Sequence, residues 1–143
     1  MAQTGYNTYR TANVETTDQG KLIIMVYDWA IRHCKMANEK LKVKDVEGRA
    51  NTLLKAQNAI TELMVSLNME KGGDLSQRLY SLYDYMNRRL IEANIKNTSA
   101  PIEEVLKYLL DLREAWVISI KKVREQKSEN TAADPSAGLA MVG

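Results

Sequence analysis

A single cysteine, Cys34, stands in a chain of 143 residues. It has no partner for an intrachain disulfide, so the fold cannot depend on a covalent staple and the sequence suits a reducing compartment. The chain also has only one histidine, His33. This excludes multi-histidine metal centres and the paired Glu-x-x-His sites of helical di-iron bundles. It leaves at most one base for a Ser/His or Cys/His arrangement. The run His33-Cys34-Lys35-Met36-Ala37 lacks the His-x-x-Lys-Gly arrangement of histidine phosphotransfer bundles. Flanked by Arg32 and Lys35, His33 is expected on a solvated face, and Cys34 is expected as a small core residue. Blocks of like charge are missing too: 20 basic side chains oppose 18 acidic ones, for a net charge of +2. No nucleic-acid or membrane-surface footprint follows from that balance. There is neither an apolar run of ~20 residues nor an N-terminal charged-then-apolar leader. The expectation is a cytoplasmic chain that inserts in no membrane, holds no metal or cofactor, takes no small-molecule substrate and is not an enzyme. Its carboxylates Asp84, Glu92, Asp111 and Glu114 read as surface partners of nearby bases, for instance Asp84 with Arg88 one turn on.

What the chain does have is apolar periodicity. With 45% hydrophobic residues over this length, it has enough for one domain with a proper core. The best-specified stretch is GGDLSQRLYSLYDYMNRRLIEAN, from Gly72 to Asn94. Its two glycines oppose a continuous helix, Asp74 is placed to cap a new one, and Gln77 sits where a capping box places its reciprocal amide. Leu75, Leu79, Leu82, Met86, Leu90 and Ala93 recur at steps of three and four, which lines one side of a helix. Tyr80, Tyr83 and Ile91 lie off that stripe. They add more apolar and aromatic surface than one seam needs.

Upstream, KLIIMVYDWAIRHCKMANEKLK carries two apolar stripes on one helix: Leu22, Met25, Val26 and Trp29, and Ile23, Tyr27, Ala30, Cys34, Ala37 and Leu41. Such a helix is either central to the domain or also faces a partner. A second helix carries Val46, Ala50, Leu53, Leu54, Ile60, Leu63, Met64 and Leu67. A fourth follows Ser99 and Pro101, with Glu103 and Glu104 at the positive end of its dipole. The pattern predicts helices over about 19–42, 45–68, 74–96 and 101–124, each roughly 30 to 36 Å long and joined by short links. The expected fold is all-α, an antiparallel up-down four-helix bundle over residues 1–125. Within it, segment 1–17 is packed on the bundle through Tyr6 and Tyr9, and residues 126–143 form a disordered tail.

The run from Glu70 to Asn94, together with Lys21-Leu22-Ile23-Ile24-Met25-Val26-Tyr27-Asp28, Ile102-Glu103-Glu104-Val105 and Ala115-Trp116, closely resembles the flagellar secretion chaperone FliS family. The likeness covers about residues 5–118. It implies a cytoplasmic bundle that binds the C-terminal segment of flagellin, prevents its premature polymerisation and helps deliver it to the flagellar type III export gate. By the same resemblance an N-terminal segment covers part of the client surface, which brings in Tyr6 and Tyr9. The family's opening positions fall on Leu22, Ile23, Tyr27 and Asp28. The candidate flagellin-binding residues are therefore Tyr6, Tyr9, Leu22, Ile23, Tyr27, Trp29, Tyr80 and Tyr83. Two departures stand out: Gln19 where many relatives have proline, and Trp29 where they have glycine. The alternative is a helical-bundle adaptor for a different amphipathic client.

Overall fold

The computed structural model describes residues 19–129, with side chains through Gln126. Tyr6, Tyr9 and residues 130–143 of the expected tail lie outside the described residues. Four helices follow one another: α1 (Gln19–Lys42), α2 (Val46–Ser66), α3 (Met69–Lys96) and α4 (Ala100–Glu129). The first three helices each pack on the next in sequence, and α4 closes the ring, packing more on α1 than on α3. With links of two or three residues this is an antiparallel up-down bundle, and the described residues contain no strand.

The links are fixed by local chemistry. After α1, Lys44 takes a left-handed conformation (φ 60°) and the Asp45 N–H reaches back to the Lys40 carbonyl at 2.9 Å. Asp45 then caps α2, its carboxylate accepting from the Gly48 N–H at 2.9 Å. Gly48 is required by this close approach, because a Cβ there would lie 2.3 Å from Asp45 Oδ2. The chain leaves α2 through extended Leu67, and Asn68 caps the next turn by accepting from the Lys71 N–H at 2.9 Å. The glycine break expected at 72–73 is present as a kink: Gly73 has φ 54° and ψ −133°, which side-chain-bearing residues rarely adopt. One capped turn precedes the kink, so the long helix is entered at residue 69 rather than 74.

At the far end Asn97 is left-handed (φ 58°) and donates its N–H to the Ala93 carbonyl. Arg49 of α2 locks this end. Its Nε donates to Asn94 Oδ1 at 3.0 Å, Nη2 to the Asn94 carbonyl at 3.2 Å, and Nη1 to Asn97 Oδ1. The fourth helix runs five residues past the expected end. Lys, Arg, Glu and Gln are good helix formers, and the next proline is Pro135, so the backbone continues after the apolar face has faded.

The core draws on all four helices: Val26, Tyr27, Ala30 and Cys34 from α1, Leu53, Ala56, Ile60 and Leu63 from α2, Leu79, Tyr83, Met86 and Leu90 from α3, and Ile102, Val105, Leu109 and Trp116 from α4. Leu54 and Leu75, like Val46 and Met25, were expected on the apolar stripes and face water instead. Leu54 is 55% exposed and Leu75 is 51% exposed. The first adjoins Leu53, and neighbours on a helix are about 100° apart, so only one can point fully inward. The second lies just after the Gly73 kink, before the helix has settled against its neighbours.

Candidate interaction surface

The polar centre of the bundle is a chain of three aromatic side chains. Trp116 Nε1 donates to Tyr27 Oη at 3.0 Å, and the Tyr27 and Tyr83 hydroxyls hydrogen-bond to each other. Their rings stand 6.5 Å apart, tilted by 55°. Burial raises both phenol pKa values above the ordinary range, and for Tyr27 the neighbouring Tyr83 adds to the shift. Both therefore stay neutral hydroxyls. Tyr27 and Tyr83 are core residues that tie α1, α3 and α4 together beneath the surface.

Leu22 and Ile23 are buried as well. Ile23 joins the contiguous core, whereas Leu22 stands outside it. Trp29 is half-buried and packs on the core from outside. Its indole contacts the His33 ring with centroids 4.5 Å apart, and the Arg32 guanidinium lies 5.1 Å from the indole centroid. The large side chain is thus accommodated at the rim. Tyr80 is 46% exposed on α3. Of the candidate residues that are described, only Trp29 and Tyr80 present open surface. They stand on helices that are not principal neighbours in the ring, so no one groove joins them.

His33 departs from the expectation of a solvated face, being only 5% exposed. Its Nδ1–H donates to the Trp29 carbonyl at 2.8 Å, and the ring lies under the indole. Burial lowers its pKa, and the charges of Arg32 and Lys55 push the same way, against the opposing effect of the Trp29 hydrogen bond. Cys34 is fully buried, and burial pushes its thiol up to about 12, so it is an inert core atom. The carboxylates serve as surface partners. Asp84 pairs with Arg88 at 2.5 Å, and Asp28 of α1 bonds Arg113 of α4 at 2.5 Å. Glu104 of α4 accepts from Arg89 Nε at 2.6 Å and from the Tyr85 hydroxyl at 2.9 Å, joining α4 to α3. Among the described residues no group of His, Cys, Asp and Glu is arranged to hold a metal ion, and no helix is long and apolar enough to cross a membrane.

The surface is nonetheless rich in apolar side chains. Val65, Ile91, Ile95, Leu110 and Ile118 are each more than two-fifths exposed, in addition to Leu54, Leu75 and Tyr80. With a complete core beneath them, these side chains are not missing pieces of the bundle. Off-stripe Ile91 was legible as surplus surface in the sequence. Leu54 was not, although a second leucine beside Leu53 was the available signal.

A model of the family described as "Flagellar protein FliS" matches residues 1–123. The protein named "Flagellar secretion chaperone FliS" of Bacillus subtilis (strain 168) is 36% identical over 125 residues, covering 87% of this chain and 92% of the relative. Its namesake in Salmonella typhimurium is 36% identical over 129 residues, covering 87% and 96%. The Escherichia coli (strain K12) protein of the same name is 32% identical over 124 residues, covering 83% and 91%.

Proposed function

The chain belongs to the FliS family of flagellar secretion chaperones, and on that premise we propose that it binds the C-terminal segment of flagellin in the cytoplasm, keeps it from polymerising and presents it to the flagellar type III export gate. The observation that supports this reading is the surplus of exposed apolar side chains around a core that is already closed. A segment that pairs helix to helix in a filament exposes apolar stripes while it waits. Helical grooves with apolar walls cover such stripes by the same packing. Nothing in the role requires catalysis, a cofactor, nucleic acid, membrane insertion or a small-molecule substrate.

In this reading Trp29 and Tyr80 offer contacts at the surface. Leu22, Ile23, Tyr27 and Tyr83 form the packed layer that holds the helices in place, and Tyr6 and Tyr9 supply a cover the client displaces. Calorimetric titration of a flagellin C-terminal fragment into the full-length protein tests it. The expected result is saturable binding that is lost when the fragment's last few dozen residues are removed. Absence of binding, or binding indifferent to those residues, overturns the reading in favour of a different helical client. Deleting residues 2–12 should tighten the binding slightly; weaker binding would make Tyr6 and Tyr9 part of the client site.

A further inference from the structure

Tyr27, Ala30 and Cys34 carry α1 into the core. The opposite side of the same helix, reached at steps of four and seven, is the line Met25, Trp29 and Met36. Met25 is 36% exposed, Met36 is 40% exposed and Trp29 is half-buried between them. From Met25 to Met36 the line runs roughly 16 Å at 1.5 Å per residue, about three helical turns. An apolar ridge thus stands on the outermost face of α1, away from Tyr80 on α3.

The charges bordering this ridge do not balance. On α1 they are Lys21, Asp28, Arg32, Lys35, Glu39 and Lys40, and the flank of α2 that faces α1 adds Lys55 and Glu62. Asp28 is bonded to Arg113, Glu39 to Lys42 and Lys40 to Asp45. Lys21 and Glu62, of opposite sign, both stand toward the Met25 end. Arg32, Lys35 and Lys55 remain, all exposed, and no carboxylate of the described residues lies within ion-pair distance of them. Arg32 lies over the indole, and Lys55 comes close enough across the seam for its charge to act on His33 beneath that ring. Three uncompensated positive charges therefore rim the ridge around Trp29.

We propose that this outer face of α1 docks an amphipathic helix of a second protein partner, distinct from flagellin, with an apolar stripe seated on Met25, Trp29 and Met36 and acidic flanks facing Arg32, Lys35 and Lys55. Each part of the surface suits that occupant. Tryptophan is among the side chains that most often carry contact energy, and the two methionines can adapt to the stripe they meet. The cationic rim attracts acidic flanks and repels basic ones, which selects the partner and sets its register. This moves Trp29 from the client's contacts to those of the second partner and leaves Tyr80 to the client. The two surfaces stand apart, so both can be occupied together.

The probe is a synthetic amphipathic helix about four turns long, with leucines along one face and glutamates on both flanks, beside a twin carrying lysines in place of the glutamates. Each is titrated calorimetrically into the full-length chain, an Arg32→Glu/Lys55→Glu variant and a Lys121→Glu/Lys122→Glu control that changes the net charge equally on α4. All four substituted positions are exposed, so circular dichroism and melting should show unchanged folds. The expected result is that the acidic peptide binds wild type and control at least about tenfold more tightly than its twin, and that the order reverses in the Arg32→Glu/Lys55→Glu variant. Trp29→Ala should weaken the acidic peptide severalfold and keep the preference. If the twins bind alike, or the control reverses the order too, the attraction is diffuse and the proposal falls. A flagellin C-terminal fragment should bind wild type and the Arg32→Glu/Lys55→Glu variant equally; loss of that binding in the variant would assign the face to the client and overturn the proposal. A chain that binds the acidic peptide but no flagellin keeps this surface and overturns the client reading instead.

Discussion

Tyr27 and Tyr83 look equivalent in the sequence, yet their hydroxyls have unequal places in the core, and this predicts unequal costs of removal. An indole N–H can only donate, so Tyr27 Oη accepts from Trp116. The two hydroxyls share one further bond. The group thus contains three protons and two bonds, and in wild type one phenol proton is left over. Tyr83→Phe removes one bond and one proton, and again leaves one proton over, so its cost should stay within about 1 kcal/mol. Tyr27→Phe removes both bonds and leaves the Trp116 N–H with the Tyr83 hydroxyl as its remaining partner, an interaction already present in wild type. With two bonds lost and a poorer one in their place, its cost should be about 1 to 3 kcal/mol, above that of Tyr83→Phe. Urea unfolding of the two variants measures the difference, provided their m-values match that of wild type. Equal costs, or a larger cost for Tyr83→Phe, would refute the donor count on which the argument rests.

His33 is buried neutral with a lowered pKa, so the unfolded chain takes up its proton first as the pH falls. Stability should be at its full value above about pH 6.5 and decline as the pH falls through the folded pKa, and His33→Gln should flatten that part of the urea-midpoint profile. An unchanged profile would show that His33 is solvated in solution; the lowered pKa values of Asp45, Glu92 and Glu104 add a pH dependence of their own that wild type and His33→Gln share, so the difference between the two profiles reports His33. At the start of α2, Gly48→Ala should fail to give the usual gain of about 1 kcal/mol for Gly→Ala in a helix, because the new Cβ displaces the Asp45 cap, itself worth ~1 kcal/mol. In an Asp45→Ala background the same substitution should become stabilising, and a denaturation cycle without that reversal of sign refutes the steric account.

The bundle itself was legible because its signals are local and periodic. Apolar steps of three and four gave α1 over 19–42, where it is observed. The glycine pair marked a break that appears as the kink at Gly73. Ends set by capping were less legible. Asp45 was counted inside α2 but is its cap, and the capped turn at Asn68 before the kink has no apolar period to announce it. The fourth helix outlasts its stripe because backbone propensity, not burial, sustains its final turns. His33 was misjudged from its charged neighbours in sequence. On a helix those neighbours point elsewhere, and what decides its burial is Trp29, one turn back.

The candidate site was harder to read for a different reason. A tyrosine at helical spacing has the same sequence signature whether it closes the core or lines a groove, and only the facing helices decide. Tyr83 falls inward, where Tyr27 receives its hydroxyl, while Tyr80, three residues earlier, falls on the outer edge. The division has a mechanical consequence. Groove walls made of exposed side chains keep their spacing only if the helices beneath them hold register. Here register is fixed by directional bonds between helices: Arg49 to Asn94 and Asn97, Thr61 to Asn87, Trp116 to Tyr27, and Asp28 to Arg113. Apolar packing alone would let neighbouring helices slide at modest cost, because Leu, Ile and Met tolerate repacking. Each of these bonds instead allows one axial position. A helical client of the kind proposed would itself have to be ordered at a cost of a few kcal/mol, on the order of 2 to 5. Walls that are already in place add no second ordering cost, and so leave more of the contact energy for binding.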